Sequence, residues 1–194
     1  RQTHFQILKE EIVLNVLGEH NVNNALCALA VGKLYNIPLS TAKKGLENYL
    51  PIAMRGEVID KDGISIIDDT YNASPDSMKS GIKVLLSLDN ATRRIAVLAD
   101  VLELGEYSKK SHYDIGVFIS DKNIDEVITI GKEAKYIAQG INDHNKNIET
   151  ISFDNNHYAT EYLSNIIEKG DALLVKGSRS MRTEEVVKAL LERT

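Results

Sequence analysis

The chain has 194 residues, 43% hydrophobic and 26% charged, the balance of a soluble globular protein with room for one domain, or one domain plus part of another. A net charge of −5 gives no electrostatic footprint for nucleic acid or an anionic membrane surface. The one cysteine, Cys27, excludes an internal disulfide framework and a cysteine-based zinc site and fits a reducing cytoplasm; neither a membrane-spanning run nor a signal peptide is expected.

Residues 2–8 and 11–17 alternate apolar and polar side chains around Lys9-Glu10, which predicts a hairpin. A strand pattern this early is what a fragment of a longer chain would show. Gly18-Glu19-His20-Asn21 breaks the pattern. Between Val22 and Tyr35, the residues Leu26, Leu29, Ala30 and Leu34 recur at helical spacing, with Cys27 expected on the apolar face as a small core residue. A shorter helix is expected over 40–49, capped by Ser40 or Thr41. Pro51 marks the expected boundary between a first segment, 1–51, and a second, 52–194.

In the second segment, Asp62-Gly63 separates 56–60 from 64–68 and predicts a tight hairpin. Further strands are expected at 94–99, 126–130, 148–152 and 172–176. Helices are expected at 75–88, 109–120, 132–139, 156–168 and 182–192. This alternation predicts an α/β fold with a mostly parallel sheet and helices on both faces. Right-handed crossovers then put every strand-to-helix loop on one edge of the sheet, the edge where ligands are held. The polar run Asn142–Asn147 reads as a solvated surface loop.

Several polar groups fall where that edge is expected. Ile66-Ile67-Asp68-Asp69-Thr70-Tyr71-Asn72-Ala73-Ser74-Pro75 reads as a buried strand ending in two acids, a polar turn, and a helix start with Ser74 as cap and Pro75 first. A carboxylate at such a strand end can accept two hydrogen bonds from ribose hydroxyls. Asp100 ends another strand, and reads equally as a ligand contact or an acidic turn. His112, early in the next helix, reads as structural. Lys176-Gly177-Ser178-Arg179 places two cations beside a helix start, a plausible carboxylate or phosphate site. Asn21 and Asn24 share a helix face and could together read an adenine edge, although spacing alone points to N-capping by Asn21. Arg55, alone beyond the boundary, reads as an interdomain salt bridge. Neither a phosphate-binding P-loop nor a Gly-x-Gly-x-x-Gly fingerprint is present, and the five histidines have no metal-ligand spacing.

Taken in order, these motifs resemble the Mur ligases of bacterial cell-wall synthesis. Gly18-x-His20-Asn21-x-x-Asn24 resembles the His-Asn motif near the end of the family's central ATPase domain, and Arg55 resembles the arginine at its junction with the C-terminal domain. Asp68-Asp69-Thr70-Tyr71-Asn72-Ala73-Ser74-Pro75, Val97–Glu106 with His112, and Lys176–Arg179 are similar to the branch that adds D-alanyl-D-alanine. Ala99 and Val101 stand where Gly and Met are usual in that branch, Ser74 where Asn is, and Thr183 where Met is common.

The resemblance implies a Rossmann-like C-terminal domain over 52–194 and, over 1–51, the end of the central ATPase domain. It implies an ATP-dependent ligase that joins D-Ala-D-Ala to UDP-N-acetylmuramoyl-tripeptide through an acyl phosphate, as a cytoplasmic bacterial monomer binding neither nucleic acid nor membrane. Asn21, Asn24, Arg55 and Asp69 are then expected to bind the nucleotide, with His20, Tyr71 and Asn72 lining the cleft. Asp100, Lys176, Ser178 and Arg179 are expected to shape the acceptor pocket. No residue reads as a certain catalytic acid or base. Mg2+ would be held mainly by sequence outside this chain, and the chain alone is expected to be inactive. A stand-alone α/β nucleotide- or metabolite-binding module is the alternative. A ligand-free interaction domain is a third reading, in which Asp69, Asp100 and Lys176 would not converge.

Overall fold

Alternation in the first residues does produce a hairpin. In a computed structural model describing residues 1–193, β1 (Thr3–Ile7) pairs antiparallel with β2 (Glu10–Leu14). Ile7 faces Glu10, so the turn is Leu8-Lys9, one residue earlier than the sequence pattern suggests, with Leu8 at φ 56. The chain divides into two units, Arg1–Ile52 and the residues from Ala53 onward.

In the first unit, α1 (Glu19–Leu34) starts after Gly18, before the expected Val22. It buries Ala25 and Leu29 against Ile12 and Leu14 of the hairpin, and Gly32 toward Ile37 and Ala42. Leu26, Leu34 and Cys27, expected in the core, are exposed, Leu34 to 80%. Apolar residues occur nearly all round this helix, so periodicity could not single out the packed face. α2 (Leu39–Glu47) begins directly after Pro38, whose extended ψ of 142 ends the preceding turn. Ser40 and Thr41 therefore lie inside the helix and cap nothing. Asn15 ties β2 to this helix by donating to the Glu47 carbonyl at 2.7 Å.

The second unit is built on one six-stranded sheet. β3 (Glu57–Lys61) and β4 (Ile64–Asp69) form its hairpin, and the turn residues Asp62 and Gly63 have φ of 53 and 83, the double left-handed geometry of a type I′ turn. β5 (Arg93–Ala99), β6 (Glu126–Ile130), β7 (Glu149–Phe153) and β8 (Asp171–Lys176) follow. The order is β3-β4-β8-β5-β6-β7, parallel throughout except for β3. The helices are α3 (Pro75–Leu86), α4 (Ser108–Ser120), α5 (Lys135–His144), α6 (Asn156–Ile166) and α7 (Glu184–Glu192). α6 and α7 cover one face, over Ile66, Ile95, Val97, Ile128, Leu173 and Val175. α3 and α5 cover the other, with α4 packed between them. This is the expected mixed α/β sheet. Among the described residues no helix is long and apolar enough to cross a membrane.

The polar run 142–147 is not all loop: α5 continues through His144. Its packed face is Ile137, Gly140 and Ile141, and Asn142 and Asp143 form the outer face, bonding Thr150 and Tyr113. α4 and α5 approach closely at two glycines. A Cβ on Gly116 would lie 2.1 Å from the Ile137 carbonyl oxygen, and one on Gly140 2.3 Å from that of Tyr113. Both obstacles are backbone, which cannot swing aside.

At the amino-terminal ends of the strands, Arg93 forks onto Asp171 (3.1 and 2.7 Å) with Glu126 3.8 Å away. Burial pushes the Glu126 carboxyl above its ordinary range, and burial together with Glu126 pushes the Tyr162 hydroxyl up to about 12. A raised carboxyl pKa means that the folded state holds the proton more tightly than the unfolded one. Its contribution is therefore present at low pH and lost as pH rises from about 4.3, the unfolded value, through the folded value.

Two outcomes follow from this packing. Gly116→Ala should lower stability by about 3 kcal/mol or more in urea unfolding. The stability of Glu126→Gln relative to the parent should increase with pH above about 4.3 and level off beyond the folded pKa, as read from urea midpoints across pH 4 to 8.

Candidate functional site

β8 is the last strand in sequence, yet it inserts between β4 and β5. The loops after β4 and β5 lead to helices on one face and the loop after β8 leads to α7 on the other, so the crevice of this sheet opens among these three loops.

The loop after β4 is held from several directions. Asp68 points to the α7 face and accepts from the Thr70 N–H (3.2 Å) and hydroxyl (2.6 Å), shaping the turn. Asp69 points to the α3 face, beside Lys176, its register partner on β8. Its Oδ2 lies 2.5 Å from Lys176 Nζ, which also donates to the Asn72 carbonyl at 3.0 Å. The Tyr71 N–H donates to the Met54 carbonyl at 3.0 Å, and the Arg55 guanidinium stacks 4.0 Å above the Tyr71 ring. Within its own unit, Arg55 thus has an aromatic partner. Ser74 and Ser77 then form a capping box with Pro75 opening α3.

After β5, the buried Asp100 carboxylate accepts from three successive backbone amides, Lys132 (3.2 Å), Glu133 (3.0 Å) and Ala134 (2.7 Å). Gly131, at φ 113, makes room for it: a Cβ there would sit 2.5 Å from the carboxyl. Asp100 is thus spent on the turn before α5. His112 is buried and structural. Its Nε2 accepts from the Val101 N–H at 2.9 Å, and its Nδ1 donates to the Ser108 carbonyl at 2.8 Å, which sets the tautomer.

The loop after β8 is tied to the β5 loop. Ser178 donates its N–H to the Asp100 carbonyl (3.1 Å), and its Oγ accepts from the Leu102 N–H (2.8 Å). It does not cap a helix through its side chain. Arg179 Nη2 donates to Glu184 Oε1 at 2.9 Å, and its Nη1 lies 2.9 Å from Oε2 as an ion pair. That pairing raises the arginine above its usual range and holds the Glu184 carboxyl below its own. Arg179 also lies within electrostatic reach of Tyr71. Asn156 has no sequence signal but anchors the next turn, donating to Met181 and Arg182 carbonyls at 2.8 and 3.1 Å.

Asp69, Tyr71, Asn72, Lys176, Ser178, Arg179 and Arg55 therefore share the β4–β8–β5 edge. His20, Asn21 and Asn24 belong to the first unit. Asn21 lies inside α1 rather than at its cap, donating to the Leu17 carbonyl at 2.8 Å, and Asn24 Nδ2 reaches Asn21 Oδ1 at 3.4 Å. The two carboxamides do share a face.

Among the described residues no group of three or more His, Cys, Asp or Glu side chains is arranged to hold a metal ion. A cavity of about 320 Å³ lined by Lys61, Ile64, Ile167 and Leu190 lies at the opposite edge of the sheet. Asp100→Ala should cost about 3 kcal/mol by leaving one buried and two part-buried amides unpaired, and Asp100→Asn less. Faster hydrogen exchange confined to amides 132–134 would mark the same loss.

The model of the family described as "Mur ligase, glutamate ligase domain" matches residues 54–179. A UDP-N-acetylmuramoyl-tripeptide–D-alanyl-D-alanine ligase of Bacillus subtilis is 39% identical over 98% of this chain and 42% of its own length. The crystal structure of MurF from Acinetobacter baumannii superimposes with a TM-score of 0.89 at 30% identity, over 99% of this chain and 42% of that one. MurF ligase from Thermotoga maritima, solved in complex with ADP, superimposes at 0.78 with 26% identity, over 97% and 42% of the two chains. This chain thus spans about two fifths of the length of the relatives it matches. On the family match over 54–179, the chain belongs to the Mur ligases and carries their glutamate ligase domain.

Proposed function

We propose that this chain is the carboxy-terminal part of an ATP-dependent ligase of peptidoglycan synthesis in the bacterial cytoplasm. The full enzyme, a monomer, joins D-alanyl-D-alanine to UDP-N-acetylmuramoyl-tripeptide through an acyl phosphate. Residues 1–51 are read as the end of its central ATPase domain, and 52–194 as its C-terminal domain. The observation that carries this reading is 39% identity, across nearly the whole chain, to a ligase of that name. The ADP complex of a structural relative supports a nucleotide ligand.

On this reading the chain binds and positions rather than exchanging protons. Asp69 accepts hydrogen bonds from ribose hydroxyls, Asn21 and Asn24 meet adenine, and Arg55 meets the nucleotide from its seat on Tyr71. His20, Tyr71 and Asn72 line the cleft. Ser178 and Arg179 face the acceptor: with its oxygen engaged by the Leu102 N–H, the Ser178 hydroxyl can donate outward, and Arg179 can offer a fork to a carboxylate. Asp100 shapes this pocket indirectly, by holding the turn at 132–134. Mg2+ would be held mainly by residues of the central domain outside this chain. Holding the reactants in one geometry is the main service such a domain can render, since phosphoryl transfer is largely positioning and charge stabilisation.

In the full-length enzyme, ADP release should depend on D-Ala-D-Ala and yield one amide per ADP. Asp69→Ala should raise KM for ATP by about tenfold or more, the loss of one charge-assisted hydrogen bond. The chain alone should form no amide and bind nucleotide only weakly in calorimetry. Amide formation by the chain alone would overturn the proposal, and tight stoichiometric nucleotide binding by it would favour the stand-alone module.

A further inference from the structure

We infer that Lys176 is a positioning residue for the loop after β4, and not a contact for the carboxylate of the acceptor. The inference rests on the nucleotide reading of Asp69 given above, and assigns the group that keeps Asp69 in place.

Lys176 is 2% exposed and is the largest fully buried side chain in the described chain. An ammonium in that setting is strongly unfavourable unless it is met by a counter-charge and further acceptors. Both are supplied from a single short stretch. Nζ meets Asp69 Oδ2 at 2.5 Å and the Asn72 carbonyl at 3.0 Å. The two acceptors are the first and last residues of Asp69-Thr70-Tyr71-Asn72, so one cation fastens both ends of the segment. The residues between are fastened elsewhere, Thr70 to Asp68 and Tyr71 to Met54.

The sheet delivers this arrangement. Asp69 and Lys176 are in-register neighbours on parallel strands, so their side chains leave the same face together. On that face Gly81 of α3 makes room: a Cβ there would come within 3.1 Å of Leu174 and 3.5 Å of Lys176 Cδ. The stem is thereby enclosed and its head delivered to Asp69. Asp69 itself keeps 24% of its side chain at the surface. An incoming carboxylate would have to displace Asp69 to reach Nζ, whereas Arg179 has half of its side chain in solvent.

The test uses the full-length ligase, with KM for ATP and for D-Ala-D-Ala measured separately on Lys176→Met, Asp69→Asn and the double variant, and thermal melting alongside. Positioning predicts that Lys176→Met raises KM for ATP by about tenfold while KM for the dipeptide moves less than about twofold. Added to Asp69→Asn, the same change should move KM for ATP by less than about twofold, because the partner it held is already neutral. If Lys176→Met fails to fold, the double variant, with no unpaired acid, is compared with Asp69→Asn alone. A rise in dipeptide KM in either background, or additive ATP effects, overturns the inference. An unchanged ATP KM in Asp69→Asn sinks the nucleotide reading instead. Hydrogen exchange then decides the positioning role separately: the Tyr71 and Ala73 amides should exchange at least about tenfold faster in Lys176→Met with the strand amides unchanged, and unaltered protection would overturn it.

Discussion

The second unit depends on β8 entering the sheet between β4 and β5. All six of its residues are buried, and it supplies ladder partners on both sides. Until it docks, Ile66 and Ile95 lack their neighbours and neither face of the sheet can close. The same pairing builds the polar edge. It brings Lys176 to Asp69 across a separation of 107 residues and Ser178 to Leu102 across 76. Such long-range closure is entropically costly and is repaid only when the strand packs on both faces. The polar edge is therefore a consequence of the core, not an addition to it.

The charges at that edge are largely matched within the domain. Asp69 meets Lys176, Arg179 meets Glu184, Arg55 rests on Tyr71, and Asp100 is surrounded by amides. This matching lowers the cost of burying them and fixes their directions before any ligand arrives. A ligand at this edge exchanges or adds to contacts rather than filling a vacancy. Partners that are half-exposed, such as Arg179, are the ones that can exchange cheaply.

Local chemistry was legible in the sequence and distant partnership was not. Ser74-Pro75 announced a helix start and Asp62-Gly63 a tight turn because those residues act on their own backbone. The parallel strands were legible because, buried on both faces, they read as nearly continuous apolar runs. The packed face of α1 was hidden because apolar residues surround that helix, which also misplaced Cys27. The reach of α5 was hidden because its outer face is polar where its inner face is Ile and Gly. Among the candidate site residues, Asp100 could be placed at a strand end, but nothing local says that its acceptors are spent on amides 32 to 34 residues away. Lys176 reads as a ligand-facing cation beside a helix start until strand order seats it against Asp69. Asn156 gives no signal at all, since a helix-opening asparagine is ordinary.

Backbone strain adds one feature that residue type conceals. Among the described non-glycine residues with left-handed φ, Leu8, Asn36 and Asp62 sit at hairpin turns or a helix end, where such geometry is routine. Arg182, at φ 52, likewise closes the short 3-10 turn Arg179–Met181, whereas Met54 and Glu103, both at φ 66, belong to the segments that meet the polar edge. Each costs on the order of 1 kcal/mol and persists only where its surroundings over-determine it. For Met54 the constraint is visible. Its carbonyl takes the Tyr71 N–H, the Gly56 N–H two residues on goes to the Asp68 carbonyl at 2.9 Å, and the reversal between those bonds turns Arg55 back over the Tyr71 ring. A relaxed backbone at Met54 would carry Arg55 away from that ring. The strained turn thus keeps a long flexible cation over the Tyr71 ring, on the loop whose two ends Lys176 meets.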